Sequence, residues 1–370
     1  MSGISWGSLT TKSPTVSSNH CRKTKSVLGN SFLPDPDDIL DRAHVVSLPM
    51  AVRFRGITTR EALLIDGPAG WGEFSPFLEY SDEEAAAWLR AGLEAAYEGY
   101  QGLGGPSEVE VNGTIPAVTP DEVPDVLARF EGVRTFKIKV AEPGQALADD
   151  VARLRAVHEL RPDAVLRVDA NGAWTVQEAI AAARAFEEIL PPGEGASDGS
   201  TGTARGGYLE YIEQPCRTAE ELAEVRRKVS TPIAADESIR KVADPYRVVK
   251  LAAADTAVCK VAPLGGVRNL TRIARDLDLR ITVASALDTA VGIHAGLVAA
   301  AAVGSQAAGL ATQRLFIEDV ADPFPIVEGR ISINPTELFA PDADRVAGLR
   351  ASSIRKDWWF YRLRRCMAYV

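Results

Sequence analysis

Histidine and cysteine are scarce in this sequence, and their scarcity argues against the commonest metal sites and a disulfide framework. The 370 residues contain only four histidines, none near another, and four cysteines without a C-x-x-C pair: His20, His44, His158 and His294; Cys21, Cys216, Cys259 and Cys366. Cysteines spaced in this way are typical of reduced thiols. Any bound metal should therefore be a hard cation held by oxygen ligands.

Long apolar runs are also absent. The best candidate, A-V-G-I-H-A-G-L-V-A-A-A-A-V-G from Ala290, is too short and alanine-rich to span a bilayer and predicts a buried helix. Residues 1–43 are rich in Ser, Thr, Asn and Lys and have no apolar core of a secretory signal. We expect them to be a disordered leader, with a transit peptide as the alternative. These features predict a cytoplasmic protein without a membrane partner.

An excess of basic residues is missing as well. The net charge of -9 at pH 7 argues against nucleic acid as a partner. No G-x-G-x-x-G follows a first strand, which weakens a dinucleotide-binding interpretation. What is present is ample core material, because 46% of the 370 residues are hydrophobic. The length predicts a large barrel or two domains.

Strand-like and helix-like stretches alternate from about residue 108. This pattern predicts an α/β protein in which a (β/α)7β TIM-like barrel carries an α+β capping domain. An open doubly wound sheet is the alternative. We expect the barrel over 108–324, interrupted by a flexible Gly- and Ser-rich insertion at 191–207, and the capping domain over 44–107, completed by 325–370. The basic, aromatic C-terminal tail is expected to pack on a neighbouring domain, with a membrane-surface helix as the alternative.

Five strand candidates carry charged residues at or near their carboxyl ends. The segments are T-F-K-I-K-V, R-V-D-A-N-G, Y-I-E-Q-P, I-A-A-D-E-S and V-C-K-V-A-P-L-G-G, with Lys137, Lys139, Asp169, Glu213, Asp236 and Lys260. Each motif alone has an ordinary structural explanation, such as a turn or a helix cap. Buried charges are costly unless they are paired, and the carboxyl ends of barrel strands form active sites. Together the five segments therefore predict one shared polar site.

The order of these charges along the chain indicates their chemistry. Three acids from consecutive strands, Asp169, Glu213 and Asp236, can converge on one Mg²⁺ or Mn²⁺ ion. Lysines from the strands on either side would face each other across that ion. Such a site suits removal of a proton next to a carboxylate, because a cation stabilises the negative charge that develops. A second cation close to a lysine also lowers its pKa toward a useful range.

The five segments resemble those of the enolase superfamily, in its muconate-lactonizing subgroup. The resemblance implies that Asp169, Glu213 and Asp236 bind the metal and that Lys139 and Lys260 are the acid–base pair, with Lys137 tuning Lys139. Further residues are expected to support this site (Arg167, Asn171 and Glu237) or to contact substrate (Ser285, Leu287 and Gly309).

Within this subgroup the sequence is most similar to the actinobacterial o-succinylbenzoate synthase family. The similar stretches are R-F-R-G, G-W-G-E-F-S-P-F-L-E-Y, V-A-E-P-G, I-E-Q-P-C, A-A-D-E-S-I-R, K-V-A-P-L-G-G-V and A-S-A-L-D-T-A-V-G-I. The resemblance implies Mg²⁺-dependent syn-dehydration of 2-succinyl-6-hydroxy-2,4-cyclohexadiene-1-carboxylate to 2-succinylbenzoate, in menaquinone biosynthesis. Lys139 would remove the proton and then protonate the departing hydroxyl, and Lys260 would stabilise the enediolate. Ala284 and Ala311 depart from the family pattern. These departures concern the loops that would contact substrate and leave the expected reaction class unchanged.

Other functions of the same barrel stay open at this point. An N-succinylamino acid racemase uses the same lysine pair with a different pocket. A dipeptide epimerase usually shows D-x-D near the eighth strand, where this chain has G-L-A-T-Q-R. A barrel that has lost catalysis and only binds is disfavoured because all five charged segments are intact. In every enzymatic case the partner is a small carboxylate, and the oligomeric state is left open.

Overall fold

The computed structural model describes residues 33–54, 57–192, 207–241, 244–334, 337 and 339–370. Almost all of the predicted insertion at 191–207, most of the leader and part of the R-F-R-G stretch lie outside these residues. The secondary structure therefore refers to the described parts of the chain.

The amino-terminal unit is an antiparallel sheet covered by a helix. Helix α1 (Pro36–Leu40) precedes strands β1 (Ala43–Phe54), β2 (Ile57–Gly67) and β3 (Gly70–Phe74), which pair in the order β1-β2-β3. Helix α2 (Asp82–Leu93) follows, continued by a π-helical turn at Glu94–Glu98. The Ser81 side chain accepts a hydrogen bond from Glu84 N, and the Glu84 side chain accepts one from Ser81 N. This capping box fixes the start of the helix at Asp82.

The end of the predicted leader is ordered, so the expectation of a disordered segment up to residue 43 is wrong for its last residues. Helix α1 begins after Asp35, whose side chain accepts a hydrogen bond from Asp37 N. Ile39 is fully buried and Leu40 is 6% exposed, and both pack into the core of the capping unit. Because the leader is polar overall, the short apolar pair Ile39 and Leu40 gave no clear sequence signal for a helix.

Removing α1 should therefore destabilise the protein. A chain that begins at Arg42 loses two buried aliphatic side chains, each contributing about 1.5–3 kcal/mol, so we expect its free energy of unfolding to fall by about 3 kcal/mol. Urea unfolding would measure the change. A chain beginning at Leu33 should match the full-length protein, and Ile39→Ala/Leu40→Ala in the full-length chain should reproduce the loss. If the chain that begins at Arg42 were as stable as the full-length protein, the expectation that residues 1–43 are a disordered leader would stand.

The second unit is a curled parallel sheet with helices outside it. Its seven strands run in the order β11-β10-β9-β8-β7-β6-β5. In chain order the elements are β4 (Glu108–Glu110), β5 (Asn112–Ile115), α3 (Val123–Leu127), β6 (Thr135–Lys139), α4 (Leu147–Leu160), β7 (Val165–Asp169), α5 (Val176–Glu187), β8 (Tyr208–Glu213), α6 (Ala219–Arg226), β9 (Ile233–Ala235), α7 (Asp244–Lys250), β10 (Thr256–Cys259), α8 (Val267–Asp276), β11 (Arg280–Val283) and α9 (Ala290–Val303). The parallel pairing confirms an α/β fold with an antiparallel capping sheet.

The segment 306–309 contacts both edges of this sheet. Gly309 N donates to Val283 O (2.9 Å) of β11 on one side, and Asn112 N of β5 donates to Ala308 O (2.9 Å) on the other. Ala308 N also donates to Glu110 O of β4 at 2.7 Å. These bonds satisfy backbone groups that an open sheet edge would leave unpaired. The alternative, an open doubly wound sheet, does not agree with this arrangement.

The carboxyl-terminal residues divide between the two units. Strand β12 (Arg330–Ser332) pairs with β4, and Ile331 and Ile333 belong to the core of the curled sheet. Helices α10 (Ala343–Gly348) and α11 (Ser353–Cys366) complete the core of the capping unit. The expected boundary at residue 325 is therefore too early.

Helix α11 packs its aromatic face on the capping unit, as predicted for the tail. Trp359 is fully buried, and its Nε1 donates to Glu61 Oε2 at 2.9 Å. Arginines of helix α11 form ion pairs with acids of the capping unit, Arg355 with Glu61 and Arg365 with Asp82. A helix with its positive charges neutralised in this way is a poor membrane-surface helix. None of the described helices is both long and apolar enough to cross a bilayer.

Candidate active site

The predicted charges meet in one cavity at the carboxyl ends of the parallel strands. The cavity opens to solvent and lies between the curled sheet and the capping unit, with about 690 Å³ of space when the solvent at its mouth is included. Its walls combine lysines, carboxylates and apolar groups, and the charged lining side chains are Lys137, Lys139, Asp169, Asp236, Arg240 and Lys260. Phe77, Tyr80 and Trp88 come from the capping unit. The cavity can therefore hold a small anionic molecule with apolar parts.

The strand register places the acids side by side. Lys139 pairs with Asp169 across β6 and β7, and Asp169 pairs with Glu213 across β7 and β8. Asp236 follows β9 directly. Asp169 and Glu213 are fully buried, and Asp236 is 3% exposed. Because each acid ends its own strand, parallel pairing alone brings the three carboxylates to one end of the sheet.

Lysine ammonium groups neutralise these acids. Lys137 Nζ lies 2.9 Å from Asp169 Oδ2 and 2.8 Å from Glu213 Oε1. Lys139 Nζ lies 2.6 Å from Asp169 Oδ2, and Lys260 donates to Asp236. Burial works against the charged form of Asp169, but the lysines outweigh it and hold its pKa well below the usual range.

The two flanking lysines have different electrostatic settings. Burial lowers the pKa of Lys137, but Asp169 and Glu213 more than compensate, so its pKa lies well above the usual value and it stays a cation. For Lys260 burial prevails, and its pKa is lowered despite the Asp236 carboxylate. Lys137 is therefore suited to a fixed positive charge and not to a base. The role of Lys137 in tuning Lys139 stays a prediction.

The donor set fits a divalent metal ion. Among the described residues, no three carboxylate, imidazole or thiol groups are close enough together to share a metal ion as the side chains stand. Lys137 Nζ instead bridges Asp169 and Glu213. Glu213 Oε2 is nonetheless buried without a hydrogen-bond partner. Burial, followed by the nearby Asp169 carboxylate, raises the pKa of Glu213 to about 7. A cation at this oxygen would remove both penalties, and all three groups offer the oxygen ligands that Mg²⁺ requires.

Two of the predicted supporting residues belong to this cluster. Asn171 has φ of 47°, a left-handed conformation that asparagine tolerates, which turns its side chain back toward the site. Its Oδ1 accepts from Lys139 Nζ at 2.6 Å, and its Nδ2 donates to Glu237 Oε1 at 3.3 Å. Asn171 N also donates to Asp169 Oδ1 (3.0 Å). Asn171 therefore orients both Lys139 and Asp169.

Arg167, the third predicted supporting residue, does not line the cavity. It is 1% exposed in the interior of the curled sheet, where Nε donates to Glu210 Oε2 at 2.6 Å. Its Nη1 donates to Asn112 Oδ1 (3.0 Å) and Ala307 O (2.6 Å). Arg167 thus links β7 to the segment 306–309. Strand alternation put it on the same face as Asp169, but one step deeper.

The three residues predicted to contact substrate all line the cavity. Ser285, Leu287 and Gly309 lie opposite the acids, and Thr312 donates to Ser285 Oγ at 2.8 Å. Gly309 packs closely, because a Cβ there would lie 3.2 Å from the Ala284 Cβ. Alanine at position 284 therefore fits the narrow space between these strands.

Arg240 was not singled out from the sequence, although it belongs to the quoted D-E-S-I-R stretch. Its Nη2 donates to Glu237 Oε1 (2.6 Å) and Asp236 Oδ2 (3.3 Å), and its Nη1 donates to Tyr80 OH (3.2 Å). It therefore joins an acid of the site to the capping unit. Only the distance of four residues from Asp236 could have suggested this role.

Family comparisons agree with the fold. Residues 45–96 match the family described as Enolase N-terminal domain-like, and residues 123–192 and 202–343 match the family described as Enolase C-terminal domain-like. The chain belongs to the enolase superfamily. Enzymes of this superfamily generally use a divalent metal such as Mg²⁺ with a lysine or histidine base.

Individual relatives narrow the comparison. An o-succinylbenzoate synthase of Mycolicibacterium smegmatis is 53% identical over 91% of this chain and 99% of its own length. Its counterpart from Mycobacterium tuberculosis is 52% identical over 91% and 97%. Muconate lactonizing enzyme from Pseudomonas putida has a TM-score of 0.65 at 19% identity, covering 84% of this chain and 98% of that one. N-succinyl Arg/Lys racemase from Bacillus cereus has a TM-score of 0.68 at 18% identity over 84% and 97%. The two solved structures support the fold alone.

Proposed function

We propose that this chain dehydrates 2-succinyl-6-hydroxy-2,4-cyclohexadiene-1-carboxylate to 2-succinylbenzoate, as a lyase of menaquinone biosynthesis. The observation that carries the proposal is the meeting of Lys139, Lys260, Asp169 and Asp236 in one cavity, with Glu213 buried next to Asp169, in a chain 53% identical to an o-succinylbenzoate synthase. The substrate is a small carboxylate with an apolar ring. It matches a cavity lined by charged side chains of the curled sheet and by the aromatic side chains of Phe77, Tyr80 and Trp88.

Lys139 is the proposed acid–base residue. Asp169 and Asn171 hold its Nζ, each at 2.6 Å, so the amine is fixed at the edge of the cavity. It takes the proton next to the ring carboxylate and then returns a proton to the departing hydroxyl. Because one amine performs both transfers, the proton and the hydroxyl must leave from the same face of the ring. The elimination is therefore syn.

Asp169, Glu213 and Asp236 are the proposed ligands of one Mg²⁺ ion. When bound, this ion supplies positive charge that stabilises the anion developing on the substrate carboxylate. Lys260, which approaches from the opposite side of the acid cluster, provides a second positive charge. Asn171, Glu237 and Arg240 keep the lysine and acid side chains in place through the hydrogen bonds described above. Apolar walls and the capping unit limit access of water.

The proposal also covers the closure of the barrel, the domain boundaries and the cellular location of the protein. With 306–309 as its eighth strand, the curled sheet is a (β/α)7β barrel, supported by hydrogen bonds at both edges. The barrel occupies about 108–334, and residues 44–107 with the C-terminal helices form the capping domain. Two hydrophobic cores support this division, and each also includes a few residues of the other unit, such as Tyr100 and Leu315. Buried free thiols at Cys216, Cys259 and Cys366 favour the cytoplasm.

A side-by-side assay tests the function. Purified protein with Mg²⁺ is given the cyclohexadiene carboxylate or N-succinyl amino acids, and 2-succinylbenzoate and loss of optical activity are followed. We expect kcat/KM for dehydration to exceed that for racemization by orders of magnitude. Efficient racemization without dehydration would reassign the chain to the racemases. No turnover of either substrate would support a binding protein.

A further inference from the structure

One wall of the cavity is a loop in an unfavourable conformation. Residues 285–289 follow β11, and Ser285, Ala286 and Leu287 face the cavity. Leu287 has φ of 61° and is 3% exposed. The left-handed region costs a residue with a Cβ about 1–2 kcal/mol, so such a residue persists only where its surroundings hold it. The position of this wall therefore depends on the contacts behind it.

Arg60, on capping strand β2, supplies contacts to the back of this wall. Its Nε donates to Leu287 O at 3.1 Å, and its Nη2 approaches Ala286 O at 3.5 Å. The guanidinium also lies over the Phe77 ring, 4.5 Å from its centroid. Phe77 and Leu287 both line the cavity, whereas Arg60 does not. One buried arginine thus contacts two apolar walls from outside the cavity.

Arg60 is itself fixed by the neighbouring capping strand. Its Nη2 donates to Ser75 O and to Ser75 Oγ, the latter at 3.1 Å. Ser75 Oγ in turn donates to Glu73 Oε1 at 2.5 Å. At 3% exposure, the guanidinium has exchanged water for these fixed partners. A lysine could not contact as many acceptors at once, because its ammonium group lacks the planar fork.

Glu73 holds the other end of the loop. Its Oε2 accepts from Thr289 Oγ1 (2.7 Å), Thr289 N (3.1 Å) and Gly292 N (3.0 Å) at the start of α9. A Cβ on Gly292 would lie 2.8 Å from this oxygen, so only glycine allows the approach. Arg60 and Glu73, joined through Ser75, therefore hold the loop at two points from the capping sheet.

We propose that Arg60 is a positioning residue, which sets the apolar walls of the cavity through Leu287 and Phe77 and so determines substrate affinity without taking part in proton transfer. The inference rests on the proposed function, because the substrate ring and its succinyl chain are what these walls would contact. It predicts a defect in KM that is separate from the chemical step. A residue that only joined the two units would change stability and leave KM alone.

Kinetics of Arg60→Met and Arg60→Lys test this role. We expect Arg60→Met to raise KM for the cyclohexadiene carboxylate, and Kd for the product 2-succinylbenzoate, by about tenfold, which corresponds to about 1.4 kcal/mol. The expected kcat stays within about threefold, and Arg60→Lys should recover part of the loss. Arg355→Met is the matched control, because Arg355 bonds to Glu61 on the same strand. It should leave KM unchanged.

A double-mutant cycle with Leu287→Gly decides whether the effect passes through the loop. If it does, Arg60→Met should add little to the KM of Leu287→Gly, since interacting residues are not additive. Additive effects, an unchanged KM, or an equal fall in kcat and α-proton exchange would overturn the proposal. If Arg60→Met does not fold, the KM of Arg60→Lys decides. Failure of the proposed function is a separate result, because wild-type protein would then not turn over the substrate.

Discussion

Replacing Lys139 by alanine should abolish dehydration while the protein still binds its product. A single general acid–base group contributes about 10²–10⁴-fold to a rate. Because Lys139 is proposed to act first as base and then as acid, the loss in kcat should reach or exceed the upper figure. The apolar walls and the opposite lysine stay in place, so Kd for 2-succinylbenzoate should change far less than kcat.

Isotope exchange isolates the role of Lys139 from that of Lys260. Deuterium uptake at the α-carbon of a non-eliminating analogue should vanish in Lys139→Ala. In Lys260→Ala it should be slowed, since the developing anion loses a positive charge but the base remains. Lys250→Ala is the matched control, because Lys250 is exposed on helix α7. Exchange that persists in Lys139→Ala and vanishes in Lys260→Ala would reverse the two assignments.

The sequence was sufficient to predict the residues that end parallel strands. For Lys139, Asp169 and Glu213, strand period and charge order were enough, because the β6, β7 and β8 register places them side by side. The depth of a residue along its strand was harder to predict. Arg167 shares the face of Asp169, yet it lies beneath the cavity and bonds to Ala307 O. Arg167 lies two residues before Asp169 on β7, one same-face step deeper, and its partners Glu210 and Ala307 come from distant parts of the chain.

Contacts between the two units could not be predicted at all. Arg60 and Leu287 are 227 residues apart, and their hydrogen bond uses a backbone carbonyl that carries no sequence signal. Arg240 Nη1 donates to the Tyr80 side-chain hydroxyl across 160 residues. For α1, the pair Ile39 and Leu40 was too short to outweigh the polar composition around it. In each case tertiary packing decided the outcome.

Replacing any of the three proposed metal ligands should abolish activity. Asp169→Asn, Glu213→Gln and Asp236→Asn should each abolish turnover, as should removal of divalent ions with EDTA. Each change replaces a charged oxygen ligand by a neutral amide of similar shape, so metal affinity falls while packing is kept. Asp278→Asn is the matched control, an exposed acid that precedes β11 at the opposite end of the sheet. Full activity after EDTA treatment would contradict the metal assignment.

Thermal unfolding tests the same assignment without relying on activity. A ligand that binds only the folded state raises stability by RT ln(1 + [L]/Kd), so Mg²⁺ should raise the melting temperature of the wild-type protein. The three variants should lose most of this rise. Without metal, Glu213→Gln should be at least as stable as the wild type, because its buried Oε2 has no partner and its charge lies beside Asp169. A magnesium-dependent rise equal to that of the wild type in all three variants would place the ion elsewhere.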